Sequence, residues 1–318
     1  MRPPSRAILR YNEPVVLTLL LLALVDPHAD AKIVWNKAGT WGAYTVDLMD
    51  GGTRSGFNNS IALYAVSKDR KTRKHLFTGR YMDQRVTELS GDLYVYPSIH
   101  MWAPDDVHLI FFKIHAERSG SYGNSGSPLF DANVMTGKVR KLSMPYKQEN
   151  GYLDDRIGYD RSIAFSPDGT KLLLTMGGRS IWSGRIALLD YTTLRRTWLT
   201  DYTVAANSPS WSPGGKRVVY CACPMQLPKA VAEELVGSYR EYMARYELRR
   251  IWIANSDGTA RRQLTNESDS YPIWRSKDVI EFIRGEDEVW SMRPDGSAQK
   301  FVRKLGKESN FWRYEAYD

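Results

Sequence analysis

The stretch Ile251 to Trp274, "IWIANSDGTARRQLTNESDSYPIW", decides the fold. Apolar and polar residues alternate at its start, the period-two pattern of a half-buried strand. Ser256-Asp257-Gly258 then supplies turn chemistry, because Asp tolerates the left-handed backbone region and Gly enters it without a Cβ clash. A second short strand runs through "ARRQLT". The chain relaxes into polar "NESDS" and gathers again at a Pro and an aromatic residue.

Both halves of this rhythm recur. "SIHMWAPDDVHLIFF", "RSIAFSPDGTKLLLT", "SPSWSPGGKRVVYC" and "YPIWRSKDVIEFIR" each place a short apolar strand before an aromatic anchor, namely Trp102, Phe165, Trp211 and Trp274. A tight turn and a second apolar strand follow each anchor. Downstream come second hairpins: "PLFDANVMTGKVRKLS", "RIALLDYTTLRRTWLT", "RRIWIANSDGTARRQLT" and "EVWSMRPDGSAQKFVRKL". The N-terminal "SIALYAVSKDRKTRKHLFT" matches this second half as well. Two hairpins make a four-stranded unit with strands a, b, c and d. The anchors stand 63, 46 and 63 residues apart, and Trp312 in "NFWRYEAYD" is a candidate fifth anchor. A basic unit of about 40–46 residues with insertions is the period of propeller blades. A lone hairpin cannot bury its apolar face, so radial stacking is what makes such a chain fold. A helix-rich fold is excluded by the strand-like alternation and its regular Gly and Pro punctuation.

"SPDGTKL", "SPSWSPGGKRVVY" and "IWIANSDGTARRQLTN" resemble the WD-like repeats of TolB-like β-propellers, over residues 97–305 with a weaker first blade over 33–78. The expected fold is therefore all-β, a β-propeller of four-stranded blades. Five blades are counted. The resemblance implies six, which leaves "KIVWNKAGTWGAYTVDLMD" as a candidate for part of another, and "NFWRYEAYD" as a strand closing the ring. For function the resemblance is unspecific, because this fold serves as binding platform, accessory domain and enzyme.

Residues 1–31 stand apart. Arg2, Arg6 and Arg10 precede an apolar run from Val15 to Val25, and small residues follow as Ala29-Asp30-Ala31. That is the signal-peptide pattern, with cleavage expected before Lys32 and a single propeller domain from 32 to 318. The apolar run is short of the ~20 residues a membrane helix needs. The expected location is periplasmic or secreted. Two cysteines, Cys221 and Cys223 in "VVYCACP", are too few for a disulfide scaffold. Two apart on a strand, they share a face. Packing as small buried residues is the favoured reading, with a soft-metal pair or a strained local disulfide as the alternatives.

The a-to-b and c-to-d turns are short throughout, as in "SPDG" and "NSDG". The b-to-c connections grow instead: "MDGGTRSGFNNS", "HAERSGSYGNSGS", "GGRSIWSG" and a stretch of about 225–248 in the fourth counted blade. Within the last, Val231, Leu235, Tyr239, Tyr242 and Tyr246 recur at helical spacing, which predicts a helical insertion. Loop growth on one face of a rigid scaffold is where function usually lies. The same face receives the residues just before each inner strand: Tyr96, Ser98, Tyr159, Asp160, Arg161, Asn207, Asp269, Ser270 and Tyr271. This polar, aromatic ring suits a carbohydrate, a peptide or an anionic group, with Arg161 fit for a carboxylate.

The net charge of +8 follows the repeat, through "RKTRKHLF", "GKVRKLS", "LRRTWLT", "ARRQLT" and "QKFVRKL" on strand d. Cations on an outer edge discourage sheet-to-sheet pairing, and charge spread around a rim argues against nucleic acid. No GxSxG elbow, HExxH, P-loop or EF-hand loop is present, and no metal site or cofactor is expected. The expected function is a monomeric, non-enzymatic binding or scaffold module for a protein or polysaccharide. The alternative is a glycan-active lyase or hydrolase at the channel mouth, with Asp160 and Asp269 in acid–base roles and Arg161 on the substrate.

Overall fold

The computed structural model describes residues 32–49, 59–79, 81–82, 93–117, 129–142, 163–176, 184–226 and 244–306. Five antiparallel sheets form among them, each with its strands in chain order. The first holds β1 (Val34–Trp35), β2 (Trp41–Met49), β3 (Asn59–Ser67) and β4 (Arg73–Thr78). The second holds β6 (Leu93–Trp102), β7 (His108–Glu117), β8 (Leu129–Asn133) and β9 (Val139–Lys141), with the short β5 (Tyr81–Met82) paired beside β6. The third holds β10 (Ile163–Phe165), β11 (Lys171–Met176), β12 (Arg185–Asp190) and β13 (Arg196–Trp198). The fourth holds β14 (Val204–Trp211), β15 (Arg217–Pro224), β16 (Arg250–Asn255) and β17 (Arg262–Gln263). The fifth holds β18 (Asp269–Ser276), β19 (Val279–Arg284), β20 (Glu288–Met292) and β21 (Lys300–Lys304).

Position within a sheet explains composition. Strands b and c are covered on both faces by neighbouring sheets, so β11 and β15 are nearly continuous apolar runs instead of alternating ones. The outer strand d meets solvent, and every residue of β21, "KFVRK", is exposed. The core is a series of seams. Leu63, Ala65 and Leu76 pack with Leu109 and Phe111; Ile110, Phe112 and Leu129 pack with Ile163, Leu172 and Leu174. Leu173, Ile186 and Leu188 meet Val218, Tyr220 and Ala222, and Val219, Ile251 and Ile253 meet Trp274, Ile280 and Phe282. Deep burial pushes the Tyr220 phenol up to about 12.

The anchor aromatics bridge these seams. Trp102 Nε1 donates to the Val34 carbonyl at 3.0 Å, and Trp211 Nε1 donates to the Ala164 carbonyl at 3.1 Å. The Trp274 backbone N–H donates to Ser210 Oγ at 3.0 Å.

The N-terminal stretch behaves differently from expectation. Val34–Trp35 pairs with β2, and β2 pairs along its whole length with β3. "KIVWNKAGTWGAYTVDLMD" therefore supplies strands a and b of the first sheet and not a piece of another blade. Trp35 holds the anchor position. The sequence concealed it because the turn "NKAGT" lacks the Pro-Asp signal. The turn is closed instead by Asn36, whose Oδ1 accepts the Thr40 and Trp41 N–H groups at 2.9 and 3.2 Å.

A structural turn chemistry repeats at the end of the molecule that carries the a–b and c–d turns, here called the lower end. Asp168 Oδ1 accepts the Ser166 hydroxyl at 2.5 Å and the Thr170 N–H at 3.1 Å, and these bonds hold its carboxyl down to about 2. Asp69, Asp190, Asp257 and Asp295 do the same for their own turns, and each carboxyl lies below its ordinary range through side-chain and backbone donors two or three residues away. Left-handed φ angles fall where they are needed, at Gly169 (+71°) and Gly296 (+86°) among others.

Residues 244–247 form a helical turn at the end of the fourth-blade insertion. The rest of the predicted helix, residues 1–31 and "NFWRYEAYD" lie outside the described residues. No helix among those described is long and apolar enough to cross a membrane.

Candidate functional site at the upper ends of the inner strands

Opposite the capped turns, each inner strand begins and each strand b ends. The residues expected to matter fall here. Tyr96 and Ser98 lie in β6, Asn207 in β14, and Asp269, Ser270 and Tyr271 open β18. Tyr159, Asp160 and Arg161 lie outside the described residues.

Ser98 lines a cleft of about 480 Å³ between the first and second sheets, together with Lys32, Val34, Thr45, Ile61, Pro97 and Ile99. Two hydroxyls and one ammonium thus face a space otherwise walled by aliphatic side chains. Such a mixture suits a ligand with an apolar body and hydrogen-bonding or anionic groups.

The inner strands of the fourth and fifth sheets carry matching irregularities. The β14–β15 register shifts between Asn207 and Ser210, and the β18–β19 register between Ser270 and Ile273. Within each bulge a non-glycine residue has positive φ: Ser208 at +49° and Tyr271 at +50°. Both precede proline. Such a backbone costs of order 1 kcal/mol each and persists where surrounding structure holds it. Beside Tyr271, the Ser270 hydroxyl is 1% exposed and has no hydrogen-bond partner among the described residues.

Asp269 takes a defined position that the sequence did not supply. It is fully buried, and Arg284 grips it with two bonds, Nε to Oδ1 at 2.8 Å and Nη2 to Oδ2 at 3.0 Å. The register explains the pairing, since Asp269 and Arg284 are direct cross-strand partners. Arg284 also donates to Gln299 Oε1 at 2.8 Å and stacks over Trp290, with its charge held above the ordinary range first by Asp269. The carboxylate is therefore tied into the seam between sheets.

Arg284 and Arg249 were missed by sequence reading, whereas Tyr246 was read as part of the helical stripe. Tyr246, in the helical turn, donates its hydroxyl to the Gly285 carbonyl at 2.7 Å, and its own carbonyl accepts the Ser268 hydroxyl at 2.8 Å. The Arg249 guanidinium lies 3.5 Å from the Tyr246 ring centre. The end of the insertion is thus pinned onto the upper end of the fifth sheet. Tyr246 was legible as part of the helical stripe, and Arg284 as the residue facing Asp269 across a predicted hairpin.

The basic outer strands also have structural partners. Lys74 Nζ donates to the Met135 carbonyl, Arg140 Nη2 to the Tyr191 carbonyl at 3.2 Å, and Arg262 to the Pro294 and Asp295 carbonyls at 3.1 and 3.0 Å. Each reaches the c–d turn of the following sheet. Beyond discouraging edge pairing, these cations clamp neighbouring blades. Arg140 further pairs with buried Asp131 at 2.6 Å, and burial with that carboxylate pushes the Tyr191 phenol up. Among the described residues no three His, Cys, Asp or Glu side chains cluster as metal ligands would.

This architecture is that of a β-propeller, and solved structures share it at low identity. One is dipeptidyl peptidase 4 of Porphyromonas gingivalis (8% identity, TM-score 0.50), aligned over 88% of this chain and 40% of that one. Another is a protein of Agrobacterium tumefaciens assigned as TolB (15% identity, TM-score 0.46), over 86% and 80%. A third is an oligogalacturonate lyase of Vibrio parahaemolyticus (10% identity, TM-score 0.48), over 87% and 62%. The chain spans less than two thirds of the peptidase and of the lyase. At these identities the likeness is one of fold alone, a β-propeller. No protein-family model and no curated relative matches the chain.

Proposed function

We propose that the chain is an exported propeller that binds a protein or a polymer through the upper ends of its inner strands, without catalysing a reaction on it. The observation that carries this reading is the cleft between the first and second sheets, lined by Lys32, Thr45 and Ser98 at the face where the long connections fall. The strained bulges at Ser208 and Tyr271 on the same face support it, because backbone irregularity of this kind collects at binding sites. The engagement of both Asp269 oxygens by Arg284 favours binding over acid–base work, since a general base needs a lone pair within reach of a proton.

The test is retention of partners by the purified protein, immobilised and exposed to envelope extract and to defined acidic and neutral polysaccharides. Replacing Ser98 and Asn207 with alanine, or Arg161 and Asn207 together, is expected to abolish retention while the circular dichroism spectrum is unchanged. Retention equal to the parent in both variants overturns the binding reading. Turnover of a polysaccharide that is lost in Asp160→Asn moves the assignment to an enzyme.

A further inference from the structure

The upper end of β15 reads "YCACPM", Tyr220 to Met225. Side chains alternate across a strand, so Cys221 and Cys223 project to one face, and Met225, just past the strand end with its N–H donating to the Thr203 carbonyl at 2.9 Å, packs with Cys223. The packing agrees. Val219, one step earlier in the same row, lies in the seam with Ile251, Trp274 and Ile280 of the fourth and fifth sheets. Cys221 Sγ donates across that seam to the Asp269 carbonyl at 3.6 Å. Cys223 packs with Ala205, Met225, Tyr246 and Leu248. The even-numbered Val218, Tyr220 and Ala222 turn the other way, toward the third sheet. Both cysteines are buried thiols outside any disulfide.

We propose that Cys221, Cys223 and Met225 form a binding site for one soft monovalent metal ion, copper(I) or silver(I), held by two thiolates and a thioether. Soft sulfur ligands select such ions over harder divalent ones. Extended residues two apart stand about 6.6 Å between Cα atoms, at the upper limit for a disulfide. A metal ion relaxes that limit, because two metal–sulfur bonds of about 2.3 Å span a gap that one S–S bond cannot. Asp269, whose carbonyl faces Cys221, has both carboxylate oxygens engaged by Arg284, and the described residues packed around Cys223 offer sulfur as side-chain donors in Cys223 and Met225.

The charges balance. Two thiolates and one monovalent cation leave a single negative charge, and the guanidinium groups of Arg245 and Arg249 stand close enough to Cys223 to act on its thiol. Arg245 is fixed there by the Pro224 and Met225 carbonyls, at 3.1 and 2.7 Å. Metal binding displaces the protons of both thiols to solvent. The apolar wall of Ala205 and Leu248 disfavours an ion that keeps bound water.

The full chain, reduced, is titrated with silver(I) and with copper(I) in competition with a chromophoric copper(I) chelator. One ion per chain is expected to stay on the protein, with a thiolate charge-transfer band in the near ultraviolet. Cys221→Ser and Cys223→Ser are each expected to weaken binding at least about 100-fold, and Met225→Leu about tenfold. Failure of the unmodified protein to hold either ion overturns the proposal, as does equal affinity in the Cys221→Ser/Cys223→Ser variant. Should that variant not fold, X-ray absorption of the copper-loaded unmodified protein decides: a shell of sulfur alone supports the site, and a shell of nitrogen or oxygen overturns it.

Discussion

The lower turns and the upper ends of the inner strands are built from similar residues, Ser, Asp and Asn, to opposite effect. At the lower end Asp168, Asp257 and Asp295 each bond a hydroxyl and an N–H two residues away. Positive φ there falls within the turns, on Gly169, Gly258 and Gly296 and on other turn residues such as Arg70 and Leu194. Every such group is accounted for by the turn it closes. At the upper end positive φ falls on Ser208 and Tyr271 within strands, and the Ser270 hydroxyl is buried without a partner among the described residues. The difference teaches where to look for function: the lower end is explained by folding alone, and the upper end is not.

Four substitutions sharpen or break that contrast, from the largest expected effect to the smallest. Arg284→Met leaves the Asp269 carboxylate buried and uncompensated, and is expected to lower stability by about 3–5 kcal/mol in urea unfolding. A loss below about 1 kcal/mol would show that water reaches Asp269 and that the pair belongs to an open site. Gly296→Ala places a Cβ 2.9 Å from the Leu264 carbonyl oxygen at φ +86°, and is expected to cost about 1–3 kcal/mol. Tyr246→Phe removes the bond to the Gly285 carbonyl that pins the insertion; about 1 kcal/mol is expected, with faster proteolysis near residues 244–249.

Asp168→Ala gives the smallest change, below about 1 kcal/mol at pH 7 because the carboxylate is exposed. Its sign with pH is fixed. The folded carboxyl titrates at about 2 against an ordinary 3.8, so its stabilisation is present above that ordinary value and fades as pH falls toward 2. The unfolding midpoints of parent and variant should converge there. A gap that persists at pH 2 would contradict the capping account.

Much of the fold was legible because each blade repeats its own local chemistry. Trp102, Phe165, Trp211 and Trp274 mark inner strands, and the Asp-Gly turns mark hairpins. The first sheet falls where a weaker blade was read over 33–78, but its anchor Trp35 escaped because Asn36 does the work of Asp in a turn with no other signal. The site was less legible. Ser98 was read as part of a ring at the central channel and lines a cleft between the first and second sheets, which Lys32 joins only because those sheets pack together. The Asp269–Arg284 pair needs strand register, and the Lys74, Arg140 and Arg262 clamps need the neighbouring sheet, which no single repeat contains.

The central claim is that the upper inner strands keep a buried polar group, the Ser270 hydroxyl, that the described part of the fold does not use. Urea unfolding of Ser270→Ala tests it most directly. Removing a buried hydroxyl that has no partner among the described residues is expected to leave the midpoint unchanged or raise stability by about 1 kcal/mol, with an unchanged slope. A loss of about 1 kcal/mol or more, the mark of a hydrogen bond made in the folded chain, would contradict it.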